Sequence, residues 1–505
     1  MSDWLIALSD AKRSRRADQW AIETVGITSL MLMEAAATGL ADYVDRYIPE
    51  GVVVVVCGGG NNGGDGYAAA RILRAHGRAV RVLQAGDPER LSDDARAQLN
   101  LLVGESPIAF AAELLAGASV VVDALLGTGF KDKPRGEVAK AIKAITDCGL
   151  PVVAVDVPSG VDASTGEIDG VAVSAQMTVT FNSDKPGLRI NPGRAHAGAV
   201  RVVDIGIPAG APLAEATVGL IIDEPLIALL PRRGADSNKF TSGHLYVAAG
   251  SCGLTGAAVL ASTGAMRAGA GYVTACVPAS QQPVVASHLV EVMQLALADD
   301  DGHHCRKGAE QVLAAVTERE GAVLLGPGLG SSKGARAFAR ELAVSVKAPL
   351  VIDADGLNAF AGDLEALAAR KRPTVLTPHE GELARLLDCS TEKVRERRLR
   401  QVRAAAKAAN AIVILKGVDT LICNPDGLVA VSPGATAGLA TAGTGDVLGG
   451  VVGALLARGA DPFVAAAAAV RLHARAAGLA AESLGTEGMI ASDVVAALPL
   501  AWACR

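Results

Sequence analysis

A glycine- and asparagine-rich loop with one carboxylate follows a run of valines near the start of the chain. It has the sequence GGGNNGGDG (residues 58–66), and Asp65 is its acidic residue. Glycines let successive backbone N–H groups converge, and a helix that starts in such a loop points its positive end at a ligand. The loop therefore predicts an anion cradle. It lacks the acidic partner of the dinucleotide fingerprint and the Gly-Lys-Ser/Thr of a P-loop.

Two further strands in the first half are predicted to end in polar loops. Asp123 ends the strand before LLGTGF, and Asp156 stands before Pro-Ser159-Gly. Carboxyl ends of parallel strands share one edge of a sheet, so these residues are expected to converge with Asn62 and Asp65. Carboxylates beside a phosphate call for a bound cation. The alternative for each aspartate is a helix cap.

The second half contains a glycine turn that opens a helix, ATAGTGD (residues 440–446). Bare N–H groups at such a turn can hold the charge of a phosphoryl group in transfer, while Asp446 accepts the proton of an attacking hydroxyl. Other strand ends supply Lys416-Gly417, which suits a nucleotide phosphate, and His379 in TPHEGE. These motifs predict a phosphoryl-transfer site, against the alternative of a capped helix after a loop.

The elements that position these groups follow one pattern in both halves. Short Val/Ile-rich runs alternate with alanine-rich segments, which is typical of strands buried on both faces of a parallel sheet. A segment rich in Pro, Gly and Ala near 206–231 predicts a boundary. We therefore predict two α/β domains, a Rossmann-like three-layer domain over residues 1–215 and a second domain over residues 225–505.

Composition limits the function. The 505 residues carry a net charge of −6 and only 3% aromatic residues, which disfavours a nucleic-acid binder and predicts a small ligand. No apolar window of about 20 residues predicts a membrane span, and no export signal precedes the basic N-terminal cluster, so a cytoplasmic protein is expected. Eight dispersed cysteines disfavour disulfides and zinc, namely Cys57, Cys148, Cys252, Cys276, Cys305, Cys389, Cys423 and Cys504.

Three motifs of the first half, GGGNNGGDGYAAAR, DALLGTGF and VDVPSGVDASTGE, together resemble the NAD(P)H-hydrate epimerase family over roughly residues 10 to 210. The resemblance implies interconversion of the R and S forms of NADH or NADPH hydrated at C6 of the nicotinamide ring. It also implies potassium held by Asn62, Asp123 and Ser159. The residues implied to bind the hydrated dinucleotide are Asn61, Asn62, Gly63, Gly64, Asp65, Gly127, Thr128, Gly129, Phe130, Lys131, Asp132, Lys133 and Asp156.

Inverting the C6 centre requires losing and regaining hydroxide, or opening the ring, and either route needs an acid and a base. The motifs supply Asp156 and Asp123. Our hypothesis places the proton chemistry on Asp156 first and Asp123 second, because a carboxylate that ligates potassium is a poorer base. Asp65 is interpreted as a positioning residue.

In the second half, the order GSCGLTGAAVLASTGAMRAGAGYV, GPGLG, DADGLN, TPHEGE, KGVDT and ATAGTGD resembles the ADP-dependent (S)-NAD(P)H-hydrate dehydratases, which have a ribokinase-like fold, over roughly residues 225 to 502. The resemblance implies substrate contacts from Ala257, Gly328, His379 and Asp446. It implies ADP contacts from Lys416, Gly417, Val418, Asp419, Thr420 and Gly445. Phosphorylation of the C6 hydroxyl would create a good leaving group, with Asp446 as base and magnesium on the diphosphate.

The combined expectation is a bifunctional repair enzyme that acts on small molecules, without nucleic acid or membrane partners, and as a homo-oligomer by family likeness. Two alternatives stay open at this point. One is a vitamin or hydroxymethylpyrimidine type of kinase with an N-terminal nucleotide-sensing domain. The other is a non-catalytic scaffold, which the two strand-end aspartates and the low aromatic content disfavour. The residues do not decide between NADH and NADPH.

Overall fold

The computed structural model describes residues 2–503, which form two compact units. The first unit contains Ala7–Val218, and the second contains Ser2–Ile6 together with the chain from Gly219 onward. The sequence-based boundaries, 1–215 and 225–505, stay predictions. Cys504 lies outside the described residues, and the cysteines from Cys57 to Cys423 are free thiols.

The elements up to the end of the first unit are those of an alternating α/β chain. The strands are β1 (Leu5–Ala7), β2 (Val53–Cys57), β3 (Val80–Gln84), β4 (Ile108–Ala109), β5 (Val120–Ala124), β6 (Val152–Val155), β7 (Met177–Phe181) and β8 (Ala199–Val203). The helices are α1 (Ala11–Trp20), α2 (Ser29–Tyr47), α3 (Asn61–Ala75), α4 (Asp93–Asn100), α5 (Gly136–Asp147) and α6 (Gly193–Ala197).

The first unit is built on a seven-stranded sheet with the order β4-β3-β2-β5-β6-β7-β8, in which every strand pair is parallel. Strand β2 shows why its valine run is unbroken. Val53, Val55 and Cys57 pack in one hydrophobic cluster, whereas Val54 and Val56 pack in the other. Both faces of the sheet are covered, and the predicted α/β class is confirmed.

The remaining strands are β9 (Val218–Ile221), β10 (His244–Ala248), β11 (Tyr272–Pro278), β12 (Met293–Leu297), β13 (Asp299–Asp300), β14 (His303–His304), β15 (Ala322–Leu325), β16 (Leu350–Ile352), β17 (Thr374–Leu376), β18 (Ile412–Leu415), β19 (Leu421–Cys423) and β20 (Val429–Val431). The remaining helices are α7 (Asp223–Ala228), α8 (Thr255–Arg267), α9 (Gln282–Ala286), α10 (Arg306–Glu318), α11 (Lys333–Ser345), α12 (Ala354–Asn358), α13 (Glu380–Leu386), α14 (Thr391–Glu396), α15 (Arg398–Ala409), α16 (Thr444–Ala457), α17 (Pro462–Leu484) and α18 (Ala491–Ala501).

The second sheet has eleven strands in the order β1-β9-β20-β19-β18-β17-β16-β15-β10-β11-β12. The run from β18 to β12 is parallel, and β18, β19 and β20 form an antiparallel meander. The carboxyl ends of the parallel strands again share one edge, where Asp353, His379 and Lys416 follow β16, β17 and β18.

Helix α17 is the one helix in the described part of the chain that is long and apolar enough to cross a membrane. Its most apolar window is 78% buried inside the protein. The buried core helix of a globular domain has the same length and composition, so the helix is weak evidence for a membrane span.

Candidate active sites

A cavity of about 610 Å³ lies at the carboxyl edge of the first sheet. Its walls come from α1 and α2, from the start of α3 and from the loops after β5, β6 and β7. The predicted binding residues that line it are Asn61, Asn62, Asp65, Gly127, Thr128, Gly129, Phe130 and Asp156. The predicted residues that do not line it, all within the described chain, are Gly63, Gly64, Asp123, Lys131, Asp132, Lys133 and Ser159.

The glycines of the loop allow the start of α3 to approach the strand ends closely. A Cβ added to Gly63 would lie 2.0 Å from the carbonyl oxygen of Gly58. A Cβ added to Gly58 would lie 2.1 Å from the carbonyl oxygen of Leu125, in the loop after β5. The glycines therefore bring the two loops of the cavity together, as well as leaving backbone N–H groups uncovered.

Asp156 is held in the cavity by donors from three directions. Lys185 Nζ lies 2.8 Å from Oδ1, and Thr180 Oγ1 donates to the same oxygen at 3.1 Å. The Thr128 backbone N–H donates to Oδ2 at 3.2 Å, and the Thr128 hydroxyl also donates to it. Burial alone would raise the pKa of Asp156, but the Lys185 ammonium and the Thr128 donors outweigh it and lower the pKa. The backbone of Asp156 is left-handed, with φ 66°.

Two other carboxyl groups line the same cavity without such donors. Burial, followed by the charges of Asp156, Asp18 and Asp94, raises the pKa of Asp65 well above its usual range. Asp18, on α1, has its pKa raised to about 6, mainly by burial and then by Asp156, with Lys185 acting in the opposite direction. Of the four aspartates that line the cavity, Asp156 is a fixed carboxylate, whereas Asp65 and Asp18 have raised pKa values.

Asp123 and Ser159 form a buried pair beneath this cavity wall. Ser159 donates to the Asp123 carboxylate through its backbone N–H at 2.9 Å and its hydroxyl at 2.6 Å. Burial raises the pKa of Asp123 to about 6, although these hydrogen bonds lower it. Asn62 is also buried, and its Oδ1 would lie 2.9 Å from a Cβ on Gly127.

In the second unit, the predicted turn opens α16. Gly443 precedes the helix with φ 89°, and Asp446 lies in its first turn. Burial, then the charges of Asp353, Asp355 and Glu382, raise the pKa of Asp446 to about 7, against the lowering effect of Lys416. A carboxyl group with this pKa changes its protonation state near neutral pH, which suits a general base.

Lys416 lies beside this turn. Its Nζ is 3.0 Å from Asp353 Oδ1 and 3.8 Å from Glu382 Oε2. A Cβ added to Gly445 would lie 3.5 Å from the same Nζ. Burial alone would lower the pKa of Lys416, but Asp353 and Glu382 raise it, so the ammonium stays charged next to the glycine turn.

The segment Lys416–Thr420 is shaped by a buried arginine that sequence reasoning missed. Arg398 Nε donates to Asp419 at 3.0 Å and Nη1 donates to Glu380 at 2.7 Å, and the side chains of Arg398 and Asp419 are each 1% exposed. Thr420 Oγ1 donates to the Gly417 carbonyl at 2.7 Å and closes the turn. Val418 is exposed at its tip.

The other residues predicted to contact the substrate in this unit are His379, at the start of α13, and the facing pair Ala257 and Gly328. His379 caps α13, where its Nδ1 accepts from the Gly381 N–H at 3.0 Å and its backbone N–H donates to Glu382. Ala257 and Gly328 face each other, since a Cβ on Gly328 would lie 2.9 Å from the Ala257 Cβ. The structure therefore gives His379 a capping role, while a substrate contact from it stays a prediction.

Five residues that the sequence did not single out belong to these groups: Asp18 and Lys185 in the first unit, and Asp353, Glu382 and Arg398 in the second. Asp353 ends a strand in VIDADGLN, so the strand-end rule that selected Asp123 and Asp156 would also have selected it. No comparable signal marks Asp18 or Lys185.

Two family models match separate parts of the chain. One described as NAD(P)H-hydrate dehydratase matches residues 245–500, and one described as YjeF-related protein N-terminus matches residues 29–187. The bifunctional NAD(P)H-hydrate repair enzyme of Moorella thermoacetica is 38% identical over 97% of this chain and 96% of its own. The bifunctional NAD(P)H-hydrate repair enzyme of Escherichia coli is 32% identical over 96% of this chain and 92% of its own.

Among solved structures, the ADP/ATP-dependent NAD(P)H-hydrate dehydratase from Bacillus subtilis, co-crystallized with ATP and Mg²⁺, is 29% identical. The match covers 56% of this chain and 96% of that one, with a TM-score of 0.48.

Proposed function

Because the chain belongs to the family of bifunctional NAD(P)H-hydrate repair enzymes, we propose that it repairs hydrated NADH and NADPH in two steps. The first unit interconverts the R and S hydrates. The second unit dehydrates the S hydrate with ADP, releasing AMP and phosphate. The observation that carries this proposal is the similarity to relatives of that name over 97% of the chain, which spans both candidate sites.

In the first unit, the hydrated dinucleotide is proposed to bind in the 610 Å³ cavity. Asn61–Asp65 and Gly127–Lys133 would cradle it, with Asp156 in contact. Eight of these positions line the cavity, and the backbone N–H groups at the start of α3 favour a phosphate there.

A potassium ion is proposed for Asn62, Asp123 and Ser159. The fit rests on their chemistry. All three offer oxygen atoms, which hard cations prefer, and the buried Asp123 carboxylate would supply the countercharge. The ion would screen the carboxylate from the substrate phosphates.

In the second unit, Lys416–Thr420 and Gly445 are proposed to hold ADP, and Ala257, Gly328, His379 and Asp446 to contact the hydrate. The charged Lys416, next to the glycine turn, supports the placement of phosphates there. Magnesium bound to the diphosphate would supply Lewis acidity.

Asp446 then accepts the proton of the C6 hydroxyl. The hydroxyl oxygen forms a bond to the β-phosphorus of ADP, and AMP departs as the bond between the two phosphates breaks. Backbone N–H groups of the turn before α16 stabilise the charge on the transferring phosphoryl group. Loss of phosphate from C6 and a proton from C5 restores the dihydropyridine. A phosphoryl-transfer site thereby serves a dehydration, since hydroxide is a poor leaving group and phosphate is a good one.

The proposed partners are small molecules, namely the hydrated dinucleotides and ADP. A cytoplasmic location, a homo-oligomeric state and the absence of nucleic-acid and membrane partners complete the proposal, on the basis of family likeness and the net charge of −6.

The test is to incubate the full chain with each epimer of chemically hydrated NADH, with and without ADP, and to follow the absorbance of reduced nicotinamide. We expect recovery of both epimers with ADP and of neither without it. If reduced nicotinamide is recovered no faster than without the protein, and an added alcohol gives a stable phosphorylated product, the small-molecule kinase would be favoured instead.

A further inference from the structure

The carboxyl groups that line the cavity of the first unit are of two kinds, those that accept hydrogen bonds from the protein and those that do not. Asp156 already accepts from Lys185 and Thr180 on one oxygen and twice from Thr128 on the other. To pick up a proton it must give up at least one of these donors. A carboxylate in this setting is a fixed anion rather than a group that exchanges protons.

Asp65 and Asp18 are different. Both line the cavity, Asp65 from near the start of α3 and Asp18 from α1. Among the described residues, no hydrogen bond or ion pair engages either carboxyl group. The charged groups that share the cavity with them are Asp156, Asp94, Arg15 and Lys185. Two carboxyl groups on separate walls are therefore available to a ligand.

Given the proposed epimerase function, on which this inference rests, we infer that Asp65 and Asp18 form the acid and base pair of the epimerisation. Asp65 is the acid and Asp18 the base in one direction, and the roles exchange in the other. Asp156, tied to Lys185, is a binding and positioning residue. This assignment differs from the hypothesis based on sequence, which placed the proton chemistry on Asp156.

The chemistry balances with water as the co-reactant. The C6–O bond breaks with its electron pair on oxygen, which takes the proton of Asp65 and leaves as water, while the N1 lone pair forms an N1=C6 double bond. A water molecule then adds to the opposite face of C6, and N1 recovers its lone pair. Asp18 takes the proton that this water loses. Proton exchange with solvent returns both carboxyl groups to their starting states.

The titration behaviour agrees with these roles. Burial and three neighbouring carboxylates raise the pKa of Asp65 well above its usual range, which is the direction that an acid requires. The pKa of Asp18 is raised to about 6, so that it is mostly ionised at neutral pH. Environments that push the pKa values of two carboxyl groups apart are the usual basis for an acid and base assignment.

The experiment measures epimerisation of the R hydrate of NADH without ADP, by chromatography that resolves the epimers, after subtraction of the spontaneous rate. For the unmodified chain we expect a bell-shaped dependence of kcat on pH, with its acidic limb near 6. Asp18→Asn should remove the acidic limb and Asp65→Asn the alkaline limb. Each should lower kcat by about 100-fold or more, with KM changed far less.

Matched controls are Asp93→Asn on α4 and Glu23→Gln after α1, both exposed acids that do not line the cavity. Both should keep the full profile. Asp156→Asn should raise KM and keep a bell-shaped profile.

The outcomes separate the inference from the proposed function. An unmodified chain that does not epimerise either hydrate overturns the proposed function. An active chain in which Asp65→Asn or Asp18→Asn keeps more than a third of kcat and an unchanged profile overturns the inference alone. If a variant fails to fold, the profile of the unmodified chain decides, because a kcat that is flat from pH 5 to 9 overturns the inference.

Discussion

Each unit places a lysine next to an aspartate at the carboxyl edge of its sheet, but the two lysines differ in exposure. Lys185 is 2% exposed and contacts Asp156 and the hydroxyl of Thr180. Lys416 is 22% exposed, although its partner Asp353 is 1% exposed, and it lies next to the glycine turn of α16. The ammonium of Lys185 is therefore occupied by acceptors within the protein, whereas part of the Lys416 side chain stays accessible to a ligand.

A lysine–aspartate ion pair at the same edge of a sheet can therefore have different functions. In the first unit it fixes the Asp156 carboxylate in a cavity that is also lined by Asp65 and Asp18, the proposed acid and base. In the second unit it holds the Lys416 ammonium next to the glycine turn of α16, at the proposed phosphate site. The protein contacts of the lysine separate the two roles. The Lys185 ammonium already contacts Asp156, Thr180 and the carbonyls of Phe181 and Ser183, which leaves no donor for a substrate.

The largest effect is expected from a substitution that tests whether the site around Lys416 transfers a phosphoryl group. Asp446→Asn removes the proposed base, so dehydration of the S hydrate with ADP should slow by about 100- to 10,000-fold. In the unmodified chain, kcat should rise with pH and reach half its maximum near pH 7, because the base must be ionised and burial raises its pKa to about 7. The measurement is the initial rate of recovered nicotinamide absorbance from pH 5.5 to 8.5.

Asp426→Asn, in an exposed loop of the same unit, is the control and should leave rate and profile unchanged. Full activity in Asp446→Asn would remove this residue from the chemistry. Preserved ADP binding in a slow variant, measured by calorimetry, would show that the loss concerns turnover.

The second prediction compares the lysines directly. Lys185→Met leaves the Asp156 charge buried without its partner, which should cost about 3–5 kcal/mol of unfolding free energy. Lys416→Met also leaves a buried carboxylate, Asp353, without its partner, but only this variant should raise KM for ADP, by at least 10-fold. Urea unfolding and dehydratase kinetics measure the two effects.

Lys143→Met is the surface control, since its ion pair with Asp147 joins two exposed side chains. It should change stability by less than about 1 kcal/mol. An unchanged KM for ADP in Lys416→Met would contradict the distinction between the two lysines.

A smaller effect is expected from substituting Arg398, which contacts the segment Lys416–Thr420 that is proposed to hold ADP. Arg398→Lys keeps the charge but cannot contact Asp419, Glu380 and the Lys416 carbonyl together, as the guanidinium does. We expect KM for ADP to rise about 3- to 30-fold, with KM for the hydrate changed less. Arg400→Lys, exposed on the same helix, should match the unmodified chain. A rise in both KM values by the same factor would indicate a general structural defect instead.

Much of the architecture was predictable because burial on both faces of a sheet leaves a direct signature. The run Val53–Cys57 is continuous, and every one of its residues is buried. Two edge strands lack this signature. Met293–Leu297 has a single buried residue, Leu297, and Leu5–Ala7 is only three residues long, so neither was predicted.

The family was also predictable from ordered motifs, and the comparisons confirm it. The sites were only partly predictable. Motif residues lie at strand ends, where topology brings them together, but Lys185 and Asp18 are far from Asp156 in sequence. Lysine is seldom buried, so nothing in the sequence marks Lys185 as an enclosed partner. The roles of the individual site residues stay predictions.

The smallest effect concerns the fixed anion. Thr128→Val removes the hydroxyl donor to Asp156 but keeps the backbone donor, and should cost about 1 kcal/mol of unfolding free energy. The pKa of Asp156 lies below that of an unfolded aspartate, so its ionisation stabilises the fold above about pH 4 and this contribution is lost as the pH falls. Losing a donor raises the folded pKa towards the unfolded value, so the variant should lose less stability between pH 7 and pH 3 than the unmodified chain. Urea midpoints measured from pH 3 to 7 test this, with Thr128→Ser as the variant that restores the hydroxyl. An identical pH dependence in the valine and serine variants would mean that the Thr128 hydroxyl does not contribute to the ionisation of Asp156.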